Sequence, residues 1–530
     1  NNTLCNTWHN PVINNDLETP NERTERWRSI YVIYFTMFLM SLGFSIILTG
    51  VWPYLDKLDP TAGKEFMGFV VAANPLGQML FSPLVGWWGN KRGSVRLPLL
   101  ITLALFTFAS AAYSMLEILP GHKKVYMIAA RFLVGVSSAN IAVARSYLSA
   151  ATTFGERTQA VSMVSLAQVL GFIVGPGLQA AVTPLGDRGV TFLGLPLNMY
   201  TMAGWINVLM GILNFAMFLP WNFKEHRIAI KEAMRDGGKA TEKETWKSIK
   251  PDYIASWTLI TAFFVLVFNF VLLETLGTSL TMDQFAWSKT EALYYMGLLM
   301  SVGGVIACVA FVMIGPLCKR LVKNILLGKR ICLTVSSYNS TRDLNATEIL
   351  GCPSTQEWCL YTPRMTMAQF FIGYGFTSIG YPLGVTLIQT IFSKVLGPRP
   401  QGVWMGLMTG AGCASRVMGP VFVSLIYTRY GTYHTFGITG MTLIVSMIWL
   451  QIVNTRLIPP KTEKVASKDK ADVDVEIPLV HLNSSQENEV QSKTLDLYLL
   501  YLTMSQFHIL YVSVYDCHYT ISSTTRLLQF

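Results

Sequence analysis

Charge is scarce in this sequence. Asp, Glu, Lys and Arg make up 14% of the 530 residues while hydrophobic residues make up 51%, and the mean hydropathy is +0.39. A soluble domain carries about 25% charge, so a water-soluble protein of this length is excluded. Apolar runs of about 20 residues, enough to cross the hydrocarbon of a bilayer, recur along most of the chain. Cysteine is also sparse: eight residues cannot form a disulfide scaffold. Only Cys352 and Cys359 form a close extramembrane pair, and they are expected to bond if their loop faces an oxidising lumen. No nucleophile elbow, P-loop, zinc-ligand spacing or dinucleotide fingerprint is present, so neither an enzyme nor a cofactor is expected. The net charge of +10 does not mark a nucleic-acid binder, because the basic residues collect in short loops instead of a stripe interleaved with aromatics.

Eleven segments read as spanning helices, near 30–52, 66–88, 97–119, 125–149, 159–183, 198–220, 256–279, 292–314, 365–390, 402–427 and 434–455. The chain opens on Asn1, so residues are expected to precede it, and its first apolar run is too long for a cleavable signal peptide and is expected to act as a signal anchor. Five regions are expected: an N-terminal cytosolic segment (1–29), a first membrane half (30–220), a charged cytosolic linker (221–255), a second membrane half (256–458) with a lumenal loop near 331–362, and a tail (459–530) that is non-native or disordered. Basic residues at Lys91, Arg92 and Arg96, in the linker, at Lys394 and Arg399, and after Arg456 assign those loops to the cytosol. The sequons at Asn339 and Asn345 then fall on the opposite side, beside the cysteine pair, where glycosylation is expected.

The two halves repeat. "FMGFVVAANPLGQMLFSPLVGWWGNKRG" from Phe66 and "YMGLLMSVGGVIACVAFVMIGPLCKRLV" from Tyr295 share Met-Gly, a second Gly eighteen residues on, and a basic pair. "RTQAVSM" at Arg157 echoes "RPQGVWM" at Arg399, each leading into Gly-Pro, at Gly175-Pro176 and Gly419-Pro420. Repeated six-helix units are an architecture of secondary transporters. The second half departs from the first after Lys319-Arg320: "LVKNILLGKRICLTVSSYNSTRD" holds Lys323, Lys329 and Arg330 where the first half has "LPLLITLALFTFASAAYSML". Each of those cations costs about 2.5–3.5 kcal/mol at a bilayer centre. One helix of the second half is therefore expected to be missing, through a lost exon, a faulty gene model or a true eleven-helix variant.

"GWWGNKRGSVR" resembles the signature loop of the major facilitator superfamily: Gly86, Lys91 and Gly93 fit, and Asn90 stands where the family has an acid. "ARFLVGVSSAN" is similar to the family's fourth helix at Arg131, Gly135 and Ser138, and "GFIVGPG" to its Gly-Pro fifth helix. Segments such as "SLTMDQFAW", "EWCLYTP" and "LGPRPQGVWMG" resemble an endolysosomal branch of the family, across about 26–458. The resemblance implies an all-α, polytopic carrier of two six-helix pseudo-repeats in a lysosomal or endosomal membrane. "NNDLETPNER" lacks the acidic dileucine signal expected of that address.

Intramembrane charge is expensive and marks function by default. Glu274, inside "FVLLETLGTSL", is either a protonatable coupling site in the central cavity or an acid reaching lumenal water. Arg416, mid-helix in "CASRVMGP", would attract an anionic solute or chloride, or pair with Glu274 as a structural ion pair. Arg145 lies nearer the cytosolic end, where it either lines the pathway or snorkels to water. Arg131 is read equally as pathway or structural cation, and Gln168 and Asn140 as orienting hydrogen-bond groups or helix stitching. Glu117, at a helix end, is read as an interfacial anchor. Gly86, Asn90, Lys91, Gly93, Gly175, Pro176, Gly419 and Pro420 are assigned to gating or close helix packing. The expected activity is movement of a small organic or inorganic anion by alternating access, with protons as a candidate coupling ion. A chloride-channel pathway and a non-transporting scaffold are the alternatives.

Overall fold

The structure is a computed structural model that describes residues 17–60, 63–186, 189–192, 195–238, 241–248, 252–287, 289–320 and 367–457. The sequons at Asn339 and Asn345, the pair Cys352 and Cys359, the segment expected to lack a helix and the tail all lie outside them. Among the described residues the regular structure is helical apart from one small hairpin. Its helices are α1 (Pro20–Leu58), α2 (Gly63–Arg92), α3 (Arg96–Ser114), α4 (Lys123–Ser137), α5 (Asn140–Ala151), α6 (Arg157–Val182), α7 (Thr201–Met217), α8 (Ile228–Gly237), α9 (Glu242–Ser248), α10 (Tyr253–Phe285), α11 (Lys289–Arg320), α12 (Met367–Leu396) and α13 (Gly402–Val453). Strands β1 (Val190–Phe192) and β2 (Leu195–Leu197) pair antiparallel before α7.

Ten helical stretches among the described residues are long and apolar enough to span a bilayer, and the sixth expected segment, 198–220, is the shorter apolar helix Thr201–Met217. The α4–α5 pair, broken at Ser138 and Ala139, counts as one span. α13 contains two, joined at Gly431, whose φ of 78° an L side chain adopts only with strain.

Local chemistry explains where the helices begin. Thr19 and Glu22 form a capping box at the start of α1, with Pro20 in the first turn. Asp252 caps α10 by accepting from the backbone N–H groups of Ile254 and Ala255. Glu225 from the linker caps α3: its Oε1 accepts from Ser94 Oγ and from the amides of Val95 and Arg96. Arg26 binds Glu18 at 2.6 Å, Glu156 at 2.9 Å and the Ala151 carbonyl at 2.9 Å, pinning α1 to the α5–α6 corner. Burial opposes ionisation of Glu156, but Arg26 and Thr153 hold its carboxyl below the usual range.

Two apolar clusters draw only on residues 30–223 and two only on residues 255–457. The first set is centred on Ile33, Phe106 and Tyr147 and on Tyr54 and Tyr113; the second is centred on Phe263 and Phe392 and on Leu276 and Phe436. Large apolar side chains such as Phe69, Phe108, Leu209, Val305, Met441 and Ile452 stay exposed, as a lipid-facing surface requires.

Between the clusters the helices meet most tightly at the end that carries the basic loops. A methyl group on Gly86 of α2 would lie 2.1 Å from the Gly402 carbonyl of α13, and one on Gly406 would lie 2.5 Å from the Ser82 carbonyl. These are backbone contacts that only glycine permits. At the opposite end of α2, Gly68 has no heavy atom within 4 Å of such a methyl. The two bundles thus touch at the basic end.

Candidate functional site

The intramembrane charges converge between the bundles. Arg145 of α5 is half-buried, and its Nη2 donates to Gln168 Oε1 of α6 at 3.1 Å. Snorkelling is not its role here: the guanidinium turns inward, where its charge reaches Tyr381 of α12 and Cys413 of α13. Arg416 acts on the same two groups and on Glu274 of α10. One cluster therefore joins five helices from both halves of the chain. Glu274 and Arg416 are both solvent-exposed. Since they face partners from neighbouring helices, that exposure belongs to a space between the bundles, not to lipid.

Glu274 and Arg416 do not close to a contact ion pair: no N···O approach within 4.0 Å joins them. Arg416 instead lies over the Phe172 ring, with Cζ 5.9 Å from its centroid. Tyr381 stacks on Phe270 at 3.9 Å. Tyr374, two turns before Tyr381 on the same face of α12, feels the Glu274 charge. These aromatic members were not singled out in the sequence; the signal was the i, i+7 tyrosine spacing in "YGFTSIGY".

Other candidates fall elsewhere. Arg131 is fully buried in the first bundle, over Phe44 at 5.6 Å, with all three guanidinium nitrogens unpartnered. Asn140 is buried with both amide atoms unpartnered, so neither stitches helices by hydrogen bonding in this structure. Glu117 binds Lys57 at 2.9 Å and accepts from Asn198 Nδ2 at 2.8 Å at the end remote from the basic loops.

Of the gating candidates, Gly86, Asn90, Lys91 and Gly93 gather at the basic end, while Gly175, Pro176, Gly419 and Pro420 lie farther along α6 and α13. Asn90 Oδ1 accepts from the Gly402 amide at 2.9 Å and its Nδ2 donates to the Pro400 carbonyl at 3.3 Å, so α2 caps the first turn of α13. Lys91 lies over Trp87 at 5.0 Å. Gly93 has φ +66° and its carbonyl accepts from Arg227 of the linker. Gly175 packs against Ser45 and Gly419 against Val271, with Pro176 and Pro420 inside α6 and α13. Residues not foreseen complete the seam: Ser149 Oγ lies 2.6 Å from Ser393 Oγ, and the buried Arg157 donates to the Ser393 carbonyl at 3.2 Å.

Two helical bundles, sealed at one end and holding ionised side chains between them, define a membrane transporter that works by moving one bundle against the other. The chain belongs to the Major Facilitator Superfamily, whose family model matches residues 33–338, and it is by family a secondary transporter. It is similar to the Major facilitator superfamily domain-containing protein 8 of Xenopus laevis, 38% identical over 484 residues that cover 84% of this chain and 94% of that one. Multidrug resistance protein 2 of Bacillus subtilis (strain 168) is 24% identical over 72% of this chain and 90% of its own. Among solved structures, the human organic anion transporter MFSD10 (TETRAN) shares the fold at TM-score 0.51 and 16% identity, covering 80% of this chain and 99% of that one. The proton:xylose symporter XylE does so at TM-score 0.51 and 13% identity, covering 83% and 98%.

Proposed function

We propose that this protein carries a small anionic solute across an endolysosomal membrane by alternating access, with Glu274 taking up and releasing the coupling proton. The observation that carries the reading is the placing of Arg416 beside the carboxylate Glu274 in the solvent-open space between the bundles, with Arg145 reaching the same Tyr381 and Cys413 as Arg416. Two guanidiniums against one carboxylate leave net positive charge where an anion would sit, and low surrounding dielectric strengthens that attraction. Because Arg416 and Glu274 are not locked in a contact ion pair, each keeps capacity for a ligand. That arrangement favours transport over a scaffold role. The MFSD10 neighbour is by its title an organic anion transporter and XylE a proton symporter, which makes both halves of the proposal chemically reasonable on this fold. The endolysosomal address rests on the sequence resemblance.

The test is uptake of radiolabelled organic and inorganic anions into proteoliposomes under an imposed pH gradient. Arg416→Gln is expected to lower uptake at least tenfold, and Glu274→Gln is expected to keep solute exchange while losing its dependence on the gradient. Uptake of neutral solutes alone, indifferent to Arg416→Gln, would remove the anion proposal. Patch-clamp currents far above carrier turnover, abolished in Arg416→Ala, would replace the carrier with a channel.

A further inference from the structure

A cleft separate from the central cluster lies under the linker at the basic end. It has a volume of about 120 Å³ and is walled by the first half through Asn90 and Tyr147, by the linker through Arg227 and Trp246, and by the second half through Arg399 and Gln401. That is well beyond the room one water needs.

Three of its lining residues keep unspent, buried polar atoms: Trp246 Nε1, Arg399 Nε and Gln401 Oε1. Arg399 otherwise donates to the Trp246 carbonyl, and Gln401 Nε2 donates to the carbonyls of Ser393 at 2.8 Å and Gly397 at 2.7 Å. Gln401 is 3% exposed, so its free acceptor has no route to bulk water. Buried polar atoms are nearly always satisfied. Here the missing partners are two acceptors for the donors Trp246 Nε1 and Arg399 Nε, and one donor for Gln401 Oε1.

The charges that face the space are Arg227, Arg399, Glu225 and Glu242. Glu225 Oε1 already accepts three donors at the start of α3, and Glu242 stands in the first turn of α9, where a helix N-terminus favours an acid. The formal charge facing the space is thus balanced, and the unspent N–H donors of Arg399 and Trp246, not a net charge, select an acceptor group on a ligand. The remaining wall is largely apolar, with Val143, Ala229, Ile230, Pro398 and Pro400, in keeping with a small-molecule site of few convergent polar groups.

We propose that this space is a regulatory site for a small hydroxylated organic acid, whose carboxylate takes the Arg399 and Trp246 donors and whose hydroxyl donates to Gln401. The site needs walls from both halves and the linker, so it exists only while the basic end is closed. A ligand that binds one state of two shifts the population toward it by its differential affinity. The acid thus holds the carrier closed at the basic end and slows the cycle without competing at Arg416. The proposal is independent of which solute the central cluster moves.

Salicylate is a suitable probe, tested on the full chain in nanodiscs by saturation-transfer NMR and thermal shift. Saturable binding is expected, weakened at least tenfold by Arg399→Gln and by Trp246→Phe and unchanged by Arg416→Gln. Gln401→Glu, which keeps an acceptor but adds a repelling charge and gives up the amide donor to the Ser393 and Gly397 carbonyls, is expected to weaken it similarly when measured below its lowered melting temperature, while Arg399→Gln and Trp246→Phe should fold as the native chain does in the absence of probe. Crosslinking the basic end shut through Ser149→Cys and Ser393→Cys should preserve binding. Non-saturable binding, binding equal in all three basic-end variants, or loss in Arg416→Gln alone would overturn the proposal and leave a water-filled cavity only.

Discussion

At the scale of single residues, Arg145 and Arg416 differ from an ordinary buried cation in what surrounds them. Arg26 and Arg157 are buried, and carboxylates or carbonyls surround them, so they serve as rivets. Arg145 has one neutral partner, Gln168, and an unpartnered Nε. Arg145→Lys keeps the charge but loses the planar fork that reaches Gln168. It is therefore expected to retain anion uptake with a several-fold higher KM, whereas Arg145→Met should abolish it; the concentration dependence of proteoliposome uptake separates the two. Intramembrane charge was legible from composition alone, because any ionised group in so apolar a run is conspicuous. That Glu274 and Arg416 stay apart was not legible, since sequence spacing says nothing of distances between helices. Tyr374 and Tyr381 escaped notice for a related reason: aromatic residues are common in apolar helices and only their neighbours distinguish them.

At the scale of elements, the seam between α2 and α13 sets the state of the molecule. Gly86→Ala would drive a methyl into the Gly402 carbonyl at 2.1 Å, so the helices must part. Transport is expected to fall at least tenfold, and a cysteine-directed reagent should gain access to the basic end. Gly68→Ala, which meets nothing within 4 Å, is the matched control and should leave both readouts unchanged. Asn90→Ala removes the cap on α13, worth about 1 kcal/mol, and is expected to shift the ratio of closed to open basic ends about fivefold, measurable by the same labelling. The linker adds a pH-sensitive fastening. Glu232 of α8 accepts from the Phe154 amide at 2.9 Å, and burial pushes its carboxyl above the usual range against the pull of that bond and of Arg157. An acid raised in this way contributes stability that is present below its unfolded pKa and fades as pH rises through the folded value. Glu232→Gln should therefore melt at the same temperature as the native chain near pH 4 and slightly higher near pH 7.5, with the pH slope between them reduced.

For the whole molecule, the close contact of the halves at the basic end corresponds to one state of a rocking cycle. If the cycle must open that end, a Ser149→Cys, Ser393→Cys pair, placed where the native hydroxyls lie 2.6 Å apart, should stop uptake on oxidation and restore it on reduction, in a background where native thiols are accounted for. Uptake unaffected by a formed crosslink would show that the basic end never opens.

The membrane character, the succession of apolar helices and the internal repeat were determined by the sequence, because the hydrocarbon thickness and the cost of charge in it act on local stretches of chain. Loop charge likewise identified the basic end before any fold was known. The tertiary structure alone decided which charges meet, that Arg145 turns to Gln168 instead of water, that Asn90 caps a helix more than three hundred residues away, and that a polar-lined space lies under the linker. Those outcomes depend on how separate helices are rotated and brought together by small residues and shared caps, and no periodicity within a single helix encodes them.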